Sequence, residues 1–162
     1  MFNDSEEGNV PRKKIRYRLY PEENEKKYYY EKKINSAEGK FKETKIKTFK
    51  DYELAFRNGL FDYSYGMLEK KLIVSYTREY YSINDARITI DYLIKYASPK
   101  GINKKTDYES LILEIKSQRK IIEIQNKFLN VVPLRRERFS KYCEGINALY
   151  NKHHMQRINN FI

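Results

Sequence analysis

Alternation of apolar and charged residues predicts three antiparallel strands in the first third of the chain. In segment 13–20 (KKIRYRLY) one face carries Ile15, Tyr17 and Leu19 and the other carries Lys14, Arg16 and Arg18. The aromatic-rich segment 26–34 (KKYYYEKKI) and segment 40–48 (KFKETKIKT) follow, joined by the turn-like sequence NSAEG. We therefore expect a charged antiparallel meander.

The middle of the chain changes from a helical pattern back to strands. From Lys50 the spacing of apolar residues predicts a helix that Asn58-Gly59 ends, and a second short helical turn is expected before about Lys70. Segments 71–81 (KLIVSYTREYY) and 86–96 (ARITIDYLIKY) are rich in β-branched and aromatic residues and predict a second hairpin.

The last third predicts a loop, one strand and two helices. The loop covers residues 98–107 (SPKGINKKTD), and the strand covers 108–116 (YESLILEIK). Helical spacing runs from Ile121 through Leu129 up to Val131-Val132-Pro133, and again from Ser140 to Lys152. We find no repeat, low-complexity tract or long linker.

Composition is typical of one folded basic domain. The 162 residues include 40% hydrophobic and 15% aromatic residues, which is enough apolar surface for a core. The formal net charge is +11, with 14 basic and 9 acidic residues in 1–50, 6 and 7 in 51–99, and 13 and 6 in 100–162. The positive ends of the chain favour a polyanionic partner such as nucleic acid, polyphosphate, a nucleotide or acidic lipid.

Several function classes have little support. No apolar stretch approaches the ~20 residues of a membrane helix, and the acidic start MFNDSEEGN differs from a signal peptide, so we expect a cytoplasmic protein. The single Cys143 excludes an internal disulfide and is expected to be buried. His153 and His154 lack partners at metal-ligand spacing, so a solvated tail is expected there.

Several strands place charged residues on one face and apolar residues on the other. Arg rather than Lys stands at four strand centres, namely Arg16, Arg18, Arg78 and Arg87. An open sheet with one solvated face would explain this pattern. Because the guanidinium fork binds phosphate oxygens in a bidentate manner, a barrel with a charged interior that holds a phosphate chain is the sharper interpretation.

Glu114 is an acidic residue among these cations. A polyphosphate or nucleoside triphosphate arrives as a metal complex, and a hard divalent ion needs carboxylate oxygen. Glu114 is therefore a candidate metal ligand; a surface ion pair with Lys116 or with an arginine is the alternative.

Six blocks in order carry a family resemblance: KIRYRLY (14–20), YYEKK (29–33), SYTREYY (75–81), ARITIDY (86–92), LILEIKS (111–117) and RFSKYCEGI (138–146). Together they resemble the VTC domain, the polyphosphate polymerase domain of the triphosphate tunnel (CYTH-like) superfamily. The resemblance implies an α+β fold in which an antiparallel β-barrel forms the tunnel, with flanking and C-terminal helices. It covers residues 12–150 of a single, partial domain spanning 1–162.

The resemblance also assigns roles to individual residues. Those implied to be catalytic are Arg16 and Arg18 of the R-x-R strand, Arg78 of the Y-x-R strand and Lys141 of the S-K-Y block. Those implied to bind phosphate are Lys33 of E-K-K, its hairpin partner Lys42, Arg87 of R-I-T-I-D and Lys116. Glu114 of L-E-I-K matches the residue that holds Mn²⁺ or Mg²⁺.

The implied reaction transfers the γ-phosphate of ATP to a growing polyphosphate chain and releases ADP. Such transfer needs positioning and charge neutralisation more than covalent chemistry from the protein. A triphosphatase with water as acceptor is the second enzymatic interpretation. A non-catalytic polyanion- or nucleic-acid-binding module, with Tyr17, Tyr76 and Tyr80 stacking on bases, is the third; it gives Glu114 no role and is disfavoured.

The resemblance fails at the start of the chain. VTC domains open with an R-x-E-x-K strand, a helix and a Y-F-D-T strand, whereas here MFNDSEEGNVPRKK directly precedes the paired arginines. We therefore expect the opening strands of the barrel to be missing, which would expose unpaired strand edges. A fragmentary reading frame, a separately encoded N-terminal segment and a degenerate anion-binding homologue are the three explanations. A membrane partner that receives the product is also left open, and turnover is expected only if the missing strands are supplied.

Overall fold

A computed structural model describes residues 1–83, 86–100, 105–108, 111–117 and 137–150. These residues form a mixed α+β structure with antiparallel sheets and three helices. They divide into two compact units, Met1–Lys70 and Lys71–Ile162. The helix predicted over 121–129 and the pair His153 and His154 lie outside the described residues.

The first unit is built on the predicted meander. Its strands are β1 (Arg12–Arg18), β2 (Tyr28–Ser36) and β3 (Gly39–Lys47), which form an antiparallel sheet with β2 in the centre. The alternation of the sequence therefore predicted all three strands. A six-residue helix α1 (Phe2–Glu7), which the sequence did not predict, precedes them and ends at Gly8 in the left-handed conformation (φ 83°).

Helix α2 (Phe49–Asn58) contacts one face of this sheet through aromatic side chains. Thr48 and Asp51 form a reciprocal capping box at its start, and it stops at Gly59, as the sequence predicted. Its Tyr52 ring lies 5.3 Å from the Tyr17 ring and 4.8 Å from the Tyr28 ring, measured between centroids. We call the face that carries Tyr17, Tyr28 and Tyr30 the aromatic face, and it is the face that α2 contacts.

The predicted second helical turn is wrong, because a short hairpin of β4 (Leu60–Asp62) and β5 (Gly66–Leu68) takes its place. The Asp62 carboxylate accepts a hydrogen bond from the Ser64 backbone N–H at 2.9 Å. Gly66 adopts a positive φ of 69°, which an L side chain rarely takes. These two local features favour a tight turn over a helix.

The second unit contains the predicted hairpin of β6 (Ile73–Ile83) and β7 (Ala86–Ala97). The other edge of β7 pairs with β8 (Lys105–Tyr108) and β9 (Ile112–Ser117). Two boundaries were predicted wrongly: the end of the expected loop belongs to β8, and the last strand begins at Ile112, with Tyr108 in β8. The sequence predicted one strand over 108–116, whereas Tyr108 and Ile112 belong to two short strands that both pair with β7.

A β-bulge in β7 determines which of its residues lie in the core of this unit. Leu93 has a positive φ of 51°, and the strand register shifts between Ser75 and Thr77 on β6. Because the bulge adds a residue, Ile94 and Tyr96 join the face that carries Asp91. Both are fully buried there, against Leu149 of helix α3 (Lys141–Tyr150).

Other expectations have mixed outcomes. Cys143 of α3 is a free, buried thiol, as predicted. The described strands form three separate sheets without a closed barrel, so the triphosphate tunnel stays a prediction. Among the described residues no helix has the length and apolar character needed to cross a membrane.

Candidate functional site

The face of the β1–β2–β3 sheet opposite α2 is strongly basic, and we call it the basic face. Strand register places seven cations and one carboxylate on it: Arg12, Lys14, Arg16, Arg18, Lys33, Lys40, Lys42 and Glu31. Lys33 lies directly between Lys14 and Lys42 across the three strands. This row therefore places three lysine residues side by side on the basic face.

Glu31 lies at the centre of the basic face and is only 3% exposed. Its Oε2 accepts a hydrogen bond from Arg16 Nε at 2.6 Å, and Arg16 Nη2 lies 2.5 Å from the same oxygen. Its Oε1 lies 2.9 Å from Lys42 Nζ, and Arg18 Nη2 lies 4.0 Å from Oε2. We call Glu31, Arg16, Arg18 and Lys42 the Glu31 cluster; it unites three of the predicted site residues.

The Glu31 cluster keeps its carboxylate ionised. Burial alone would raise the pKa of Glu31, but hydrogen bonds from Lys42 and Arg16 outweigh burial and lower the pKa to about 2. The cluster therefore carries three positive charges and one negative charge at neutral pH. Arg16 and Lys42 remain 44% and 51% exposed, so each can offer N–H donors to an anion from solution.

A similar arrangement lies in the second unit. Asp91 is 2% exposed and accepts a bidentate pair from Arg78, with Nε to Oδ1 at 2.5 Å and Nη2 to Oδ2 at 2.6 Å. Lys141, the first residue of α3, donates to the same Oδ2. We call these three residues the Asp91 cluster; it unites the predicted Arg78 and Lys141.

The ion pairs of the Asp91 cluster favour the charged forms of Asp91 and Arg78. Burial raises the pKa of Asp91, but hydrogen bonds from Arg78 and Lys141 outweigh it, so the net pKa is below the ordinary value. The hydrogen bond to Asp91 raises the pKa of Arg78. Arg78 is further flanked by aromatic rings, its Cζ lying 5.3 Å from the Tyr76 ring centroid and 5.9 Å from that of Tyr80.

The remaining predicted residues of this unit share the face of the Asp91 cluster. Arg87 on β7 is the direct partner of Lys116 on β9, and Thr89 is the direct partner of Glu114. Glu114 Oε1 lies 3.1 Å from Lys116 Nζ, and its Oε2 lies 4.0 Å from Arg78 Nη2. Both ion pairs that were the alternative to a metal ligand are thus present, and Glu114 keeps 44% of its side chain exposed.

Whether these residues suit a divalent metal ion depends on the donors near Glu114. The described residues contain no group of three or more Asp, Glu, His or Cys side chains that could enclose a metal. However, the Thr89 hydroxyl is buried without a hydrogen-bond partner among the described residues. One carboxylate with an adjacent hydroxyl fits an ion such as Mg²⁺, which takes most of its ligands from substrate phosphates and water.

The three tyrosines proposed to stack on bases do not share one environment. Tyr17 lies on the aromatic face, 5.6 Å from Tyr30 and 5.3 Å from Tyr52 between ring centroids. Tyr76 and Tyr80 instead flank Arg78, and Tyr80 is 61% exposed. Tyr17 thus lies in the β1–β2–β3 sheet, whereas Tyr76 and Tyr80 lie on β6 of another sheet.

The sequence did not identify Glu31 or Asp91 as site residues. Each shares a strand face with a cation, but a carboxylate beside cations is also typical of a solvated face. The informative feature is strand register, since Arg16 opposes Glu31 and Arg78 opposes Asp91. Pairing segment 13–20 with segment 26–34 through their turn could have revealed the first of these pairs.

Comparison with known proteins gives one result on the family. The family model of the VTC domain matches residues 61–150, more than half of the chain. That range includes the Asp91 cluster, Arg87, Glu114 and Lys116. Searches of the curated proteins and of the solved structures found no match.

Proposed function

The chain belongs to the VTC domain family, and from this premise we propose that it is a cytoplasmic, metal-dependent polyphosphate polymerase domain. It binds ATP and inorganic polyphosphate through its Arg and Lys side chains. It transfers the γ-phosphate of ATP to the end of a polyphosphate chain and releases ADP.

The pairing of Arg and Lys in both clusters carries this proposal. Each cluster holds an arginine and a lysine on one buried carboxylate, with other cations on the same face. Charge-assisted hydrogen bonds from such groups to phosphate oxygens are stronger than neutral ones, and arginine adds bidentate geometry. A merely solvated face would not need its carboxylates buried beneath its cations.

The proposed roles follow from what phosphoryl transfer requires. The transferring group carries negative charge on its oxygens, so fixed cations near it lower the barrier by positioning and by electrostatic stabilisation. We assign this role to Arg16, Arg18, Arg78 and Lys141. Holding the rest of the phosphate chain is assigned to Lys33, Lys42, Arg87 and Lys116. The attacking phosphate oxygen is already anionic, so no general base is required.

The proposal includes Mn²⁺ or Mg²⁺ at Glu114. The Glu114 carboxylate and the Thr89 hydroxyl are the residues that would hold the ion beside the phosphates. A divalent ion held there would supply positive charge that offsets the negative charge of the phosphates. Lys116, 3.1 Å from Glu114 Oε1, fixes the orientation of the carboxylate.

Product analysis tests this function. The full chain, together with a peptide that supplies the missing opening strands, is incubated with γ-labelled ATP, short polyphosphate and Mn²⁺, and acid-insoluble label and free orthophosphate are both counted. We expect acid-insoluble polymer from the wild type and a loss of about 100-fold in Arg16→Ala and Arg78→Ala, the scale typical of removing one transition-state donor. Arg57→Ala is the matched control, because Arg57 lies on α2 and pairs with Glu53.

Each other result has a defined meaning. Orthophosphate without polymer would assign the chain to triphosphatases of the same superfamily. Equal activity in Arg16→Ala, Arg78→Ala and the wild type would contradict the assigned roles. Absence of both products, with an oligonucleotide bound more tightly than polyphosphate at equal ionic strength, would favour the nucleic-acid-binding alternative.

A further inference from the structure

Glu31 and Asp91 occupy equivalent positions in two different sheets. Each lies on a strand with neighbours on both sides, directly opposite an arginine of the adjacent strand: Arg16 for Glu31 and Arg78 for Asp91. Each also binds a lysine from a third element, Lys42 on β3 or Lys141 on α3. The same carboxylate, arginine and lysine set is thus found in both compact units.

The two carboxylates use the same edge of their arginines. In both clusters the arginine contacts the carboxylate through Nε and Nη2, and Arg78 also makes a side-chain hydrogen bond with Tyr80. An arginine has five N–H donors and a lysine has three, so neither cation is exhausted by its carboxylate. Each cluster can therefore bind an anion without breaking its internal ion pairs.

We propose that Glu31 and Asp91 are positioning residues that hold Arg–Lys pairs in the geometry that a phosphate chain needs. Neither carboxylate contacts the phosphate; each aligns two cations whose remaining donors do. This inference rests on the proposed function and deepens it, because it makes two buried anions necessary for binding another anion.

The proposal predicts an effect of opposite sign to that of simple electrostatics. Replacing Glu31 by Gln or Asp91 by Asn removes one negative charge, so long-range attraction alone predicts tighter binding of an anion. If the carboxylates position the cations, the long Arg and Lys side chains must instead be ordered at the moment of binding. Ordering them costs enough conformational entropy for a weakening of about tenfold.

Asp62 on β4 supplies a matched control in the same compact unit as Glu31. It is 5% exposed and lies 3.0 Å from Lys13 Nζ and 3.7 Å from Lys32 Nζ, so it is also a buried carboxylate between two cations. However, strand alternation places Lys13 and Lys32 on the aromatic face, away from the Glu31 cluster. Asp62→Asn should therefore lower stability without weakening the binding of phosphate.

The test is titration calorimetry of the full chain with inorganic tripolyphosphate at several chloride concentrations. We expect Glu31→Gln and Asp91→Asn to bind about tenfold more weakly than the wild type, with Asp62→Asn within twofold of the wild type. Glu31→Asp keeps the charge and should recover part of the affinity. Equal or tighter binding by Glu31→Gln and Asp91→Asn, with normal binding by the wild type, would overturn the positioning roles alone.

Failure of the proposed function gives a different result. If the wild type binds tripolyphosphate no better than it binds sulfate, the phosphate-chain site and the positioning roles both fail. Circular dichroism of each variant separates unfolding from weak binding. Should Asp91→Asn unfold, the comparison of Glu31→Gln, Glu31→Asp and Asp62→Asn decides the question on the first unit, and equal affinity in all three would overturn the role of Glu31.

Discussion

Replacing Glu31 by Gln should destabilise the protein at neutral pH and have little effect in acid. The pKa of Glu31 falls from its ordinary value of 4.5 to about 2 in the folded chain. A difference of that size corresponds to about 3 kcal/mol of folding free energy. Because Arg16 and Lys42 are 44% and 51% exposed, solvent screening reduces our expectation to about 2 kcal/mol.

The sign of the pH dependence follows from the direction of the shift. A carboxyl with a depressed pKa in the folded state contributes its full stability above its unfolded pKa and loses it as pH falls toward the folded pKa. The wild type should therefore exceed Glu31→Gln by about 2 kcal/mol at pH 7. The difference should shrink from about pH 5 downward and be nearly gone at about pH 2.

Urea unfolding followed by tyrosine fluorescence measures this difference, since the chain has 16 Tyr and no Trp. Glu53→Gln is the control, because Glu53 forms an exposed i,i+4 pair with Arg57 on α2 and should change stability by less than about 0.5 kcal/mol. Equal stability of wild type and Glu31→Gln at pH 7 would refute the reasoning. A difference that persists unchanged at pH 2 would refute it as well.

The remaining prediction concerns the core of the second unit. A Cβ on Gly145 of α3 would lie 2.5 Å from Tyr96 Cδ1 and 2.7 Å from Leu72 Cδ2. Gly145→Ala should therefore lower the free energy of unfolding by about 1–3 kcal/mol through overpacking, despite the better helix propensity of alanine. Thermal unfolding measures this, and a stabilised variant would contradict the packing.

Period-two alternation predicted most of the strands because apolar and charged residues alternate along their sequences. In β1, Ile15 and Tyr17 alternate with Arg16 and Arg18, and α2 lies on the side of Tyr17. The hairpin at Asp62 and Gly66 was missed because its strands have only three residues each. An Asp that binds the backbone two residues on, followed by Gly, was the available signal.

The bulge at Leu93 shows what alternation cannot reveal. Regular alternation would place Ile94 and Tyr96 on the face opposite Asp91, yet both are buried beside α3 on the Asp91 face. The sequence around Leu93 does not predict that this exposed leucine adopts a positive φ. The contact between Lys141 and Asp91 likewise needs α3 in place, since the two residues are 50 positions apart.

The sequence therefore identified the cations and Glu114 of the candidate site but not its two buried carboxylates, Glu31 and Asp91. Arg16, Arg18 and Lys42 were identified one at a time, and strand register explains why they meet at Glu31. Glu114 was identified as an isolated acid among cations, and its ion pairs with Lys116 and Arg78 follow from the neighbouring strands. Which acid is buried depends on tertiary packing rather than on local pattern.

Protection of lysines by polyphosphate tests the central claim most directly. Lys42 and Lys45 lie three residues apart on β3, on opposite faces, with 51% and 60% of their side chains exposed and one glutamate partner each. The full chain is acetylated with and without tripolyphosphate, and modification of each lysine is measured by mass spectrometry. The account predicts that tripolyphosphate protects Lys42 and leaves Lys45 unchanged; equal protection of both, or of neither, would contradict it.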